Sequence, residues 1–161
     1  MKKTVAIVVC LMLALLACGC SNNSSNASLS SDEGLKAIMQ SIKDQITLSD
    51  DMMTVSDSSK LLDYYGIESS TVKDFQVMMN SSGVEQDEIV MIEAIDEDSA
   101  NIIAEKLNAR LEDKKNQMKN YLPDQYAMLQ KCSVEQKGLY VYMFLSDDAK
   151  TMQNIFNSYF G

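Results

Sequence analysis

The first 31 residues of this 161-residue chain set how much of it is available to fold. Met1-Lys2-Lys3 is a short positive segment, and Val5 to Ala17 is a run of thirteen uncharged, mostly apolar residues. A membrane-crossing helix needs about 20 apolar residues. The run is too short for that and has the length of a signal-peptide core. Leu15-Leu16-Ala17-Cys18 then has the form of a lipobox: an apolar residue three positions before the cysteine and a small one directly before it. The expected mature chain begins at Cys18, its sulfur carrying a diacylglycerol. Cys20, preceded by Gly19, is the alternative acceptor, with Ala17 as a poorer match three positions upstream. An ordinary secretory signal cleaved nearby is the competing reading. Two acyl chains, each CH₂ contributing about 0.8 kcal/mol on burial, suffice for stable anchoring. The expected location is the cell membrane, lipid-anchored and facing outside the cytoplasm.

Ser21 to Ser31 holds nine Ser or Asn residues in eleven. Such a segment buries too little apolar surface to offset chain entropy. It reads as a flexible tether spanning about 18 Å root-mean-square. The expected organisation is a signal peptide over 1–17, a lipidated cysteine and linker over 18–31, and one globular domain over 32–161. That leaves 130 residues, enough for one core and hardly two. From Cys18 onward there are 12 basic against 23 acidic side chains, a net of −11. Nucleic acid requires a basic footprint, so it is excluded as a partner. Anionic lipid headgroups repel such a surface. A solvated acidic surface is the plain reading, and a basic protein or peptide partner is compatible with it.

Within the domain, Ser30 and Glu33 form a capping box, and Leu35, Ile38, Met39, Ile42 and Ile46 follow at helical spacing over 32–47. Residues 59–65 read as a short helical turn stopped at Gly66. Phe75, Val77 and Met79 alternate through a strand over 71–79, Asn80-Ser81-Ser82-Gly83 turns, and a second strand covers 88–95. That second strand is apolar on both faces, which places it centrally in a sheet. Asp96 caps a long helix to about Tyr121, with Ala100, Ile103, Ala104, Leu107, Leu111 and Met118 as its buried stripe. Lys114, Lys115 and Lys119 populate its last turns, where the macrodipole favours cations. Pro123 breaks the chain before a short helix over 124–131. Strands over 132–136 and 139–145 meet at Lys137-Gly138, and Ser146 caps a terminal helix bearing Met152, Ile155, Phe156 and Tyr159. The expected fold is α+β, a single domain with an antiparallel sheet of about four strands. Its helices are expected mainly on one face, in the order α-β-β-α-α-β-β-α.

The chain contains no His, which removes the commonest general base and metal ligand. No paired-Cys zinc motif and no Gly-rich phosphate loop is present. Asp50-Asp51, Asp87-Glu88, Asp96-Glu97-Asp98 and Asp147-Asp148 lack EF-hand spacing. Capping and solvation account for them. Glu88 and Glu93 are five apart on a strand and so point to opposite faces, which rules them out as a glycosidase pair. No catalytic residue, metal site or cofactor is assigned. Cys132 reads as a small buried hydrophobe, with a disulfide to Cys20 as the alternative. Tyr140, Tyr142 and Phe144 share one face of the last strand. If helices cover only the Leu/Val face, those rings form an exposed binding surface for sugars or a peptide. The competing reading is that they shield the sheet's second face.

Tyr64-Tyr65-Gly66-Ile67, Asp87-Glu88-Ile89, Ala100 through Arg110, Tyr121-Leu122-Pro123 with Tyr126, Gly138-Leu139-Tyr140-Val141 and Ser146-Asp147-Asp148 carry a likeness to a known family. In that order and spacing the chain resembles the DUF4358 family of small bacterial lipoproteins, over about residues 35–157. The family name denotes unknown function, so the resemblance implies no catalytic residue. The expected function is a non-enzymatic binding or accessory module at the cell envelope, anchored by its diacylglycerol and acting on an envelope protein or cell-wall polymer. The alternatives are a solute-binding lipoprotein and an envelope enzyme that works without His.

Overall fold

The computed structural model describes residues 34–160. Cys18, Cys20, the Ser/Asn tract and the Ser30–Glu33 capping box lie outside the described residues. Helix α1 (Gly34–Gln45) buries Leu35, Ile38, Met39 and Ile42, as their spacing predicts. Strand β1 (Met52–Val55) follows, then helix α2 (Ser59–Tyr65). Gly66 adopts φ +66° and ends α2, and its N–H closes on the Leu62 carbonyl at 2.9 Å. A left-handed residue costs glycine little, which explains its place at this helix end. A single 3₁₀ turn (Ser69–Thr71) leads into β2 (Val72–Asn80) and β3 (Glu88–Ala94). Helix α3 runs from Glu97 to Met118, and the Asp96 carboxylate caps it by accepting from the Ser99 N–H at 2.8 Å. Then come α4 (Pro123–Leu129), β4 (Val134–Lys137), β5 (Tyr140–Leu145) and α5 (Ala149–Ser158).

The sheet is antiparallel with strand order β1-β2-β3-β5-β4, so β3 lies at its centre, as its apolar pattern demands. It has five strands rather than about four, because Met52–Val55 pairs with β2 as an edge strand where the sequence reads as loop. Only Val55 of its four residues is buried, so the segment carries almost no alternating signal. The β4–β5 hairpin closes through Gly138-Leu139, with Gly138 at φ +60°, the glycine-first pattern of two-residue hairpin loops.

Helices cover both faces of the sheet, which corrects the expectation of helices mainly on one face. One apolar row crosses all five strands through Val55, Val77, Val90, Met143 and Val134. It lies on the face toward α3, since Glu88, two residues from Val90, bonds to Arg110 of that helix. The adjacent row, Thr54, Met78, Ile89 and Phe144, lies on the opposite face. That face is covered by α5, joined to α1 by a hydrogen bond between the Ser41 and Tyr159 hydroxyls. All six residues of β5 are buried.

Tyr140, Tyr142 and Phe144 are therefore not an exposed binding surface. Phe156 of α5 stacks 4.1 Å from the Tyr142 ring, centroid to centroid, and Phe160 lies 5.0 Å from Tyr140. The amphipathic α5 needs an apolar surface to bury Met152, Ile155 and Phe156, and the aromatic face of β5 supplies it. Shielding of the sheet's second face is what these rings do.

Candidate functional site

The feature of the domain that packing alone does not account for is a carboxylate in its core. Glu88 opens β3 on the α3 face and is 0% exposed. An isolated buried charge is prohibitively costly, so the neighbours must supply compensation. They come from α3, where Lys106, Arg110 and Lys114 recur every fourth residue along one face. Arg110 binds Glu88 with a two-pronged contact, Nε to Oε1 at 2.7 Å and Nη2 to Oε2 at 2.8 Å. Lys114 Nζ adds a third contact to Oε2 at 3.0 Å. Capping or solvation does not explain Glu88: it is neutralised from two sides inside the fold. Glu93, by contrast, points to the other face and pairs with Lys73 at 2.7 Å, as its odd offset from Glu88 predicts.

The network extends into neighbouring elements. Arg110 Nη1 donates to the Tyr64 carbonyl at the end of α2, 3.0 Å away, and the guanidinium lies 4.7 Å from the Tyr65 ring centroid. That is cation–π distance. Lys114 also donates to Gln86 Oε1 at 3.1 Å, and the Gln86 N–H donates to Gln125 Oε1 of α4 at 2.8 Å. One cluster thus ties α2, β3, α3 and α4 together. Burial opposes the Arg110 charge, but the hydrogen bonds it donates to Glu88 and the attraction of that carboxylate's charge together outweigh it and raise the guanidinium pKa. Burial, reinforced by the Glu88 charge, holds the Tyr65 phenol far above its ordinary range, so it stays protonated. Its hydroxyl is buried and has no hydrogen-bond partner of good geometry among the described residues.

Above the cluster is an open cleft of about 460 Å³. Tyr64, Tyr65 and Gln86 line it together with Lys106, Arg110 and Lys114. Asp113 is its one acidic lining residue. Counting Glu88 beneath, three cations face two anions, a local excess of positive charge on a strongly acidic chain. Such a surface suits binding of a negatively charged group. It does not suit proton transfer by Glu88, whose two oxygens are both held by cations.

Among the described residues, no group of three or more Cys, Asp or Glu could hold a metal ion, and no helix is long and apolar enough to cross a membrane. Cys132 is buried, its thiol directed to the Met128 carbonyl at 3.3 Å, and burial pushes its pKa up. A signal for the cleft was present in the chain. The buried stripe of α3 passes from Leu111 to Met118, and the turn between carries Lys114 where an apolar residue is due. A cation in a core stripe implies a buried anion opposite.

The profile of a family described as a domain of unknown function (DUF4358) matches residues 44–146, a stretch that includes Glu88 and all three cleft cations. No curated protein and no solved structure matches the chain.

Proposed function

The chain belongs to the DUF4358 family, a domain of unknown function, and on that premise we propose that it is a non-enzymatic binding module tethered outside the cytoplasmic membrane. In this reading Cys18 carries the diacylglycerol, residues 18–31 form the tether, and the domain engages an envelope protein or cell-wall polymer. The observation that carries the binding role is the cationic cleft. Glu88, Arg110 and Lys114 hold one another in fixed positions, which suits recognition more than turnover. A preformed cleft of about 460 Å³ also falls within the size range of small-molecule sites. This favours, as a second reading, a lipoprotein that binds a small solute.

The test is crosslinking of the lipidated protein in cells followed by mass spectrometry, with Cys18→Ala as control. A specific membrane-protein partner that disappears in the control supports an anchored accessory module. Turnover of an envelope ester or glycan by the purified protein overturns the non-enzymatic reading. A protein equally membrane-bound after Cys18→Ala overturns the anchor at that residue.

A further inference from the structure

The cleft cations differ in how far their hydrogen-bonding capacity is used. A guanidinium has five N–H donors and an ammonium three. Arg110 directs two at Glu88 and one at the Tyr64 carbonyl, leaving two without an acceptor among the described residues. Lys114 directs one at Gln86 and one at Glu88, leaving one. Lys106 has no ion-pair or hydrogen-bond partner among the described residues, although it lines the cleft. Its stem lies across Gly66, where a Cβ atom would come 3.8 Å from the lysine side chain. At about 1.5 Å per residue the three side chains are spread over about 12 Å of helix, with Arg110 in the middle.

We propose that this cleft binds a compact oxyanion, a carboxylate or phosphate carried on a small ligand or at the end of a larger one. Lys106 and the outward N–H groups of Arg110 are its donors. The proposal rests on the binding-module reading and names the chemistry that such a module recognises. Glu88 is what makes it specific. By engaging the inner edge of Arg110 it fixes the guanidinium plane against Tyr65, leaving the outer N–H groups oriented before any ligand arrives. Arg–oxyanion recognition gains from such preorganisation. The half-exposed Tyr64 ring at the same rim offers an apolar wall for the carbon skeleton next to the anionic group.

Charge argues for a compact anion rather than a polyanion. Electrostatic screening at physiological ionic strength has a length of about 8 Å. One anionic group seated in the cleft feels mainly Lys106, Arg110 and Lys114 against Asp113 and Glu88, a net excess of one positive charge. A chain of anionic groups would extend over a surface belonging to a chain of net −9 and be repelled.

The test uses the full chain in detergent, with the melting temperature and calorimetric titration as readouts. The probes are inorganic phosphate, acetate, glucuronate and glucose at low ionic strength. Phosphate or the carboxylates should raise the melting temperature saturably, sodium chloride should weaken the effect, and glucose should have none. Stronger binding of phosphate assigns the oxyanion as phosphate, and stronger binding of glucuronate assigns it as carboxylate. Lys106→Gln, an exposed position outside the Glu88 cluster, should weaken binding about tenfold, the loss of one charge-assisted hydrogen bond. Lys43→Gln on α1 should leave it unchanged. Lack of response to every anion, or equal affinity in Lys106→Gln, overturns the proposal. The in-cell crosslinking separates this failure from that of the binding module. A partner captured equally by wild type and Lys106→Gln leaves the module standing without the oxyanion. Anion binding without any captured partner retains the oxyanion and removes the protein partner.

Discussion

At the residue scale, Glu88 and Asp87 are adjacent carboxylates with opposite circumstances. Glu88 is wholly buried and triply paired. Glu88→Gln keeps its shape but leaves Arg110 and Lys114 facing a neutral amide. Removing one member of a buried ion cluster typically costs about 3–5 kcal/mol. The expected result is a much lower urea midpoint with an unchanged denaturant slope, measured by circular dichroism. Asp87 is half-buried, and burial raises its pKa, with a further rise from Glu85. A carboxyl whose folded pKa lies above its unfolded value destabilises the fold once it ionises. That penalty is absent below the unfolded pKa, where both states are protonated, and is fully present above the folded one. Asp87→Asn should therefore raise the melting temperature at pH 7, and the gain should vanish as the pH falls below about 4, the ordinary carboxylate range. Among single residues, Asp96 was legible in the sequence because capping is local chemistry. Glu88 was not, because its partners lie on a helix more than twenty residues away and side-chain pairing across elements has no local spacing.

At the element scale, the long helix and the central strand were readable because each carries its own period. Strand β3 is buried on both faces and α3 on one stripe, and those patterns survive without tertiary information. What failed was the assignment of faces. The alternation in β5 defines two faces but does not say what covers each, and the answer lies in α5. Phe156 touches both Tyr142 and Phe144, at centroid separations of 4.1 and 6.3 Å, and Phe160. Phe156→Ala removes the ring that joins helix to strand and opens a cavity in a fully buried site. A loss of about 3–5 kcal/mol is expected. Hydrogen exchange at β5 amides should rise along with the global instability, because uncovering that face exposes the strand. If the variant instead matches wild-type stability, α5 is not what closes the second face. Strand β1 was illegible for a different reason: an exposed edge strand of four residues is defined by its partner, here the Val55–Val77 register, more than by its own composition.

At the scale of the whole molecule, charge is distributed against the local grain. The chain carries 23 acidic against 14 basic residues, yet three of the basic ones converge on one cleft. Salt should therefore act on the protein in two opposing ways. Self-repulsion of the acidic surface destabilises the compact state and is screened by added ions. Glu88 lies wholly out of water and its partners mostly so, where screening is weak. Adding sodium chloride should thus raise the melting temperature modestly, because it relieves repulsion without dissolving the buried pairs. Anion binding in the cleft should weaken over the same range, because Lys106 is exposed to the screening ions. Melting curves and phosphate titrations across one salt series measure both, and chloride rather than sulfate avoids adding a second oxyanion. A melting temperature that falls with salt would mean that exposed attractive pairs, such as Lys60–Asp63 and Lys131–Asp147, outweigh the net repulsion. Exposed pairs generally contribute about 1 kcal/mol or less. The excess acidity should therefore prevail, with stability and affinity moving in opposite directions.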